Sequence, residues 1–203
     1  MITFSQIGNY GRLGNQMFQV ASTIGIAVRN DQPWCFPEWD HPFTGEFNLS
    51  EYSKHSYEQI YVPWGYREID LYNNHSIHGY LQSEKYFNHC RDQIKELFTF
   101  RESVEVINPF IAVHIRRGDY TPEYYTILGG EYYEKALSML PDLPVYAFTD
   151  DLDQAKQVVK ADQYFCGDTF HDLICWLADT ATCRWYSSAS FRACFAICSS
   201  TIF

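Results

Sequence analysis

From residue 110 the chain keeps a strict rhythm. The apolar run FIAVHI (110–115) is followed by a loop and then EYYEKALSML (131–140), with helical spacing. PVYAFT (144–149) precedes DLDQAKQVVK (151–160), and DQYFC (162–166) precedes HDLICWLAD (171–179). CRWYS (183–187) and a last apolar stretch (190–198) close the series. Apolar strands that alternate with amphipathic helices mean βαβ units, and βαβ units build a parallel sheet. Few other architectures accept this order.

The first half opens the same way. ITFSQI (2–7) is a strand-like run, Gly8, Gly11 and Gly14 make a turn, and Met17, Val20, Ala21, Ile24 and Val28 recur on one helix face up to Asn30-Asp31. Residues 31–76 hold four of the eight prolines and many aromatics, and read as loops and short strands. IHGY (77–80) reads as a buried strand, and Ser83 as the N-cap of a helix over 84–98. RESVEVINP (101–109) suits a junction. Two domains are expected, 1–105 and 106–203, the second one binding the ligand between its strand ends.

Charge narrows the partners. Lys and Arg number 15 against 25 Asp and Glu, a net charge of −10, in a chain of 203 residues. A nucleic-acid binder needs a basic stripe, and an anionic membrane surface needs a basic patch. Hydrophobic residues make up 46% of the chain, enough for packed cores. The seven cysteines form no CxxC pair, so zinc-ribbon and thioredoxin motifs are absent. Scattered thiols are expected to be reduced, as in an intracellular protein. The N-terminus lacks the layout of a signal peptide, and no run approaches the roughly 18 apolar residues of a membrane span. A cytoplasmic protein is expected.

Three loops at expected strand ends carry unusual residues. GNYGRLGNQ (8–16) has three glycines, Arg12 and Asn15, but neither the Lys-Ser/Thr ending of a P-loop nor the dinucleotide spacing. It reads as a tight strand-to-helix turn or as an anion cradle. HIRRGDY (114–120) places Arg116 and Arg117 directly after a strand, where arginine forks bind phosphate or pair with a carboxylate. His114 reads equally as a hydrogen-bonded core residue or as part of that site. FTDD (148–151) places Asp150 and Asp151 at the next strand end, as hydroxyl or metal partners or as a helix N-cap. Taken together, the loops suggest a nucleotide-sugar site in a crevice.

The motifs GRLGNQMFQVA (11–21), GYLQSEKYF (79–87), HIRRGDY and FTDD occur in an order that resembles the α1,2-fucosyltransferases of glycosyltransferase family 11, over about residues 1–191. The resemblance implies an α/β fold of the GT-B type, two facing Rossmann-like parallel-sheet domains. It implies inverting transfer of L-fucose from GDP-β-L-fucose to a galactoside hydroxyl of a glycan, without a cofactor or a required metal. By position, Arg116 and Arg117 would hold the pyrophosphate and His114 would shape that site. Arg12, Gly14, Asn15, Asp150 and Asp151 would bind the donor, as would Ser188 and Ser190, which roughly match the family's Asn-Ser-Ser-Phe-Ser-Trp-Trp. The candidate catalytic residues are Arg117, His114 and Asp119, and the acceptor's general base is Asp119, Asp150 or Glu84. Trp34, Trp39, Tyr61, Trp64 and Tyr66 read as packing residues or as platforms for acceptor sugars. The chain has SSASFRACFA (187–196) where the family has its Trp pair, and it stops at Phe203. The expectation is a shortened or divergent second domain, with an alternative reading as a remnant that binds nucleotide or glycan without turnover.

Overall fold

A computed structural model describes residues 1–101, 110–118, 120–123 and 125–167, and by backbone alone 181–186 and 195–199. The helix expected at 171–179 lies outside the described residues. The chain divides into two compact units, Met1–Arg101 and Glu102–Ile202.

The first unit begins with β1 (Ile2–Thr3), α1 (Leu13–Arg29) and α2 (Leu49–Tyr52), followed by β2 (Glu58–Tyr61) and β3 (His75–His78). Two 3₁₀ turns, Glu84–Tyr86 and Asn88–Cys90, lead into α3 (Arg91–Leu97). The three strands form a parallel sheet in the order β1-β3-β2. The expected strand 2–7 shrinks to two residues for a local reason. The Ser76 hydroxyl, not a strand carbonyl, accepts the Ser5 N–H at 3.0 Å, so the ladder stops there. The expected helix 84–98 is also broken. Tyr86 and Phe87 are consecutive and both buried, and Phe87 has φ −127°, ψ 1°, outside helical space. Ser83 makes no side-chain cap bond.

Beneath these turns runs α1. It buries Val20, Ala21, Ile24 and Ala27, while Phe4, Phe36, Ile77 and Ile94 fill the rest of the core. A Cβ on Gly25 would lie 2.7 Å from the Phe87 Cα, so helix and turn meet backbone to backbone. The glycine is needed there for that close approach, in the middle of a helix where it is otherwise unfavourable.

In the second unit β4 (Ile111–Ile115), α4 (Gly130–Leu137), β5 (Val145–Thr149), α5 (Leu152–Val158) and β6 (Gln163–Cys166) follow in turn, then β7 (Ala181–Tyr186) and β8 (Phe195–Ser199). The sheet order is β6-β5-β4-β8-β7. β4, β5 and β6 are parallel, as the rhythm predicts. The last two strands differ from the all-parallel expectation: β8 pairs antiparallel with β4, and β7 antiparallel with β8. Antiparallel pairing needs no crossover helix, so the two strands form a ribbon at that edge of the sheet.

Period-two alternation sorts the side chains of β4. Ile111, Val113 and Ile115 join Tyr133, Ala147, Ala155 and Val159 in a core under the helices. Phe110 and Ala112 cluster with Phe148 on the opposite face, where Phe148 stacks on Phe165 at 4.9 Å. Each unit is thus mixed α/β, with a sheet containing parallel strands.

Gly25→Ala should be costly because backbone cannot retreat as a side-chain tip can. Overpacking of this kind costs about 1–3 kcal/mol, and chemical denaturation should read a loss of that size. An unchanged midpoint would show that α1 does not pack against the 84–87 turn.

Candidate functional site

In the first unit the glycine loop is held from three sides. Gly8 and Gly11 have φ of +85° and +83°, which only glycine adopts at little cost. Gln16 donates to the Gly11 carbonyl at 2.9 Å and accepts from the Trp39 indole at 2.7 Å. Buried Gln19 donates to the Tyr10 carbonyl at 2.8 Å. The Asn15 side-chain oxygen accepts from the Gln82 amide. Arg12 stands at the N-cap in extended conformation, its side chain making no cap bond, and the first turn of α1 has no acidic residue.

The two later glycines of this loop differ in purpose. A Cβ on Gly11 would crowd Asn15, with 2.8 Å to its Cβ. Gly14 is exposed, and a Cβ there would meet nothing described within 4 Å. The fold itself gives Gly14 no reason to lack a side chain, even though glycine weakens a helix.

In the second unit, adjacent parallel strands release two loops at the same end. Ile115 and Thr149 are register partners, so Arg116-Arg117-Gly118 and Asp150-Asp151 emerge side by side. One carboxylate oxygen of Asp150 accepts the backbone N–H of Arg117 at 2.7 Å and of Gly118 at 3.0 Å. A Cβ on Gly118 would lie 3.3 Å from that carboxyl group, so a glycine suits the approach. Asp151 caps α5, accepting from the Gln154 N–H at 3.0 Å and from its side-chain amide at 2.8 Å. The Thr149 hydroxyl closes the turn, accepting from the Asp151 N–H at 3.0 Å.

The two arginines divide. Arg117 is only 6% exposed and donates from its guanidinium to the Leu128 carbonyl. It lies close enough to buried Tyr133 to act on its phenol. Burial pushes that phenol up from its ordinary value, and the Arg117 charge pulls against the rise. Arg116 lies over the Tyr120 ring, 5.0 Å from its centre, and Tyr120 stacks on Tyr125 at 4.1 Å. His114 is exposed on the face of β4 opposite the helix-covered core.

The geometry therefore gathers Arg116, Arg117, Asp150 and Asp151 at one strand end of the second unit, and Arg12, Gly14 and Asn15 at one loop of the first. Asp119, Ser188 and Ser190 lie outside the described residues. Glu84 is exposed at the start of its 3₁₀ turn. Among the described residues no group of three His, Cys, Asp or Glu side chains stands ready for a metal ion, and no helix is long and apolar enough to cross a membrane. Sequence reasoning missed the roles of Gln82 and of Tyr120 with Tyr125. Their signal was present, since both Gln82 and Tyr120 lie within the quoted motifs.

The galactoside alpha-(1,2)-fucosyltransferase 2 of Oryctolagus cuniculus is 30% identical over 140 aligned positions, covering 56% of this chain and 40% of that protein. The protein of the same name from Rattus norvegicus is 28% identical over 179 positions, covering 71% and 51%. The galactoside alpha-(1,2)-fucosyltransferase 1 of Sus scrofa is 24% identical over 208 positions, covering 78% and 54%. The chain spans about half the length of the curated relatives it matches. No family model matches it, and no solved structure does. The chain is thus distantly similar to galactoside α1,2-fucosyltransferases.

Asp150→Ala should leave the Arg117 and Gly118 N–H groups without their acceptor and cost about 1–3 kcal/mol in denaturation. Asp150→Asn keeps a carbonyl oxygen and should lose clearly less. Equal losses for the two variants would show that the oxygen acceptor is not what joins the loops.

Proposed function

We propose that the chain is an inverting fucosyltransferase that moves L-fucose from GDP-β-L-fucose to a galactoside hydroxyl in α1,2 linkage. The observation that carries this reading is the paired strand end of the second unit, where two arginines and two aspartates of the recognised motifs meet on adjacent loops. The names of the relatives supply the reaction class. The reading includes a GT-B-like facing of the two units, a reaction without a required metal or other cofactor, and action in the cytoplasm.

The chemistry follows from charge. As GDP departs, negative charge grows on the β-phosphate. Fixed arginine donors and backbone N–H groups stabilise it best when they need not reorganise. Two features support Arg117 in that role: burial and the Leu128 bond fix its side chain, and one bond does not exhaust a guanidinium's five donors. Arg116 adds charge from its seat on Tyr120. The N-terminal end of α1, with Gly14 exposed and bare, offers N–H groups to an anionic oxygen. Attack from the face opposite the leaving group inverts the sugar. A carboxylate takes the acceptor's proton. Asp150 already spends one oxygen on two N–H groups and fits a positioning role, which leaves Asp119 and Glu84 for the base.

A folded sample given GDP-fucose and a panel of galactosides should release GDP. Arg117→Ala should reduce release at least 100-fold, as removal of one fixed oxyanion donor does. Gly14→Ala should gain up to about 1 kcal/mol of stability while weakening donor binding. The absence of turnover across the panel would overturn the proposal. A second reading, binding without turnover, is favoured by the altered 187–196 segment, and calorimetric GDP binding by such a non-turning sample would select it.

A further inference from the structure

One surface of the first unit is aromatic, exposed and held stiffly. Trp64 is 72% exposed, Tyr61 65% and Tyr80 36%. Single exposed rings need no explanation, but these converge. Trp64 stacks on Tyr80, with ring centres 5.2 Å apart and planes 20° apart, and Tyr10 leans on Tyr80 at 5.1 Å. Together with Tyr61, Gln82 and Ser83 they border a hollow of about 70 Å³.

The rings stay exposed because the backbone beneath them is fixed. Gly65, Gly79 and Leu81 have φ of +91°, +146° and +53°. The Tyr86 hydroxyl donates to the Gly65 carbonyl at 3.2 Å, and the buried Ser22 hydroxyl donates to the Leu81 carbonyl at 2.8 Å. Val62 donates its N–H to the His78 carbonyl at 2.7 Å, locking the two edges of the ledge together. A left-handed leucine is costly and persists only when its surroundings impose it. The strain here holds an aromatic surface in water.

We propose that this ledge is a pyranose-binding subsite, with Trp64 and Tyr80 as the platform and Gln82 as the polar contact. None of the residues lining the hollow is charged, which disfavours a phosphate or an acidic peptide. A stable protein partner would need roughly 800 Å² of surface on this side, far beyond the reach of such a hollow. A sugar ring fits both features, because its C–H face lies on an aromatic plane while its hydroxyls seek amides and hydroxyls at the rim. Gln82 also places the ledge in relation to the candidate site. Its amide holds Asn15 of the glycine loop, so the sugar on Trp64 and the loop share one residue between them. The choice of a β-galactoside as occupant rests on the transfer reading above.

The test uses the intact chain. Methyl β-D-galactopyranoside and lactose are titrated by tryptophan fluorescence and by saturation-transfer difference NMR, and GDP is titrated by calorimetry on the same samples. Trp64→Ala and Tyr80→Ala should each weaken sugar binding by about tenfold, and Trp64→Phe by much less, as expected for lost stacking. GDP binding should not change in any of them. Trp64 is exposed, so its loss removes no core. The chain binding galactoside through Trp64 but failing to bind GDP supports the ledge while sinking the donor reading. Wild-type affinity in both alanine variants, or no galactoside binding by the wild-type chain, overturns the ledge. So does a Trp64-dependent response to guanosine without one to either sugar, which would make the ledge a nucleobase platform.

Discussion

One oxygen of Asp150 holds the second unit's candidate site together. Parallel pairing brings β4 and β5 to the same edge, but pairing ends at Ile115 and Thr149. Beyond that point no ladder bond joins the two loops among the described residues. The Asp150 carboxylate takes over from the ladder, accepting two consecutive N–H groups from the loop beside it. Two N–H donors on one charged oxygen make a short, directional and strong arrangement. With Arg117 fixed at its amide and at its guanidinium, its side chain has little freedom left. Preorganisation of that kind is what charge stabilisation requires.

The alternation of residues 110–166 was legible because period-two and helical spacing are local properties. Ile111, Val113 and Ile115 announce an inward face without reference to any other segment, and Asp151 announces its own helix. What stayed unplaced was non-local. β2 reads Glu-Gln-Ile-Tyr, mostly polar, and is a strand only because β3 supplies its ladder. The reversal of β8 depends on which edge of β4 stands open, and no single segment encodes that. Within the site, the motif around Arg116 and Arg117 was visible as two adjacent arginines. Their division was not, because the inward one is defined by a carbonyl eleven residues away and the outward one by a ring four residues on.

The two neighbouring arginines have different surroundings, one buried and one over a ring, so they cannot serve one ligand in the same way. The acidity of the chain sharpens this. A net charge of −10 would repel the anionic donor proposed above at long range, and salt screens such fields beyond about 8–10 Å. What draws an anion in must therefore be short-ranged and partly desolvated, where a charge is worth far more than in water. Arg117 meets that condition through burial. Arg116 meets it differently, since its guanidinium lies over the face of Tyr120, which shields one side of the charge from water. The aromatic abundance of this chain thus acts beyond its cores. Stacked rings hold a cation in the second unit, and in the first they form the surface on which a neutral ring can lie.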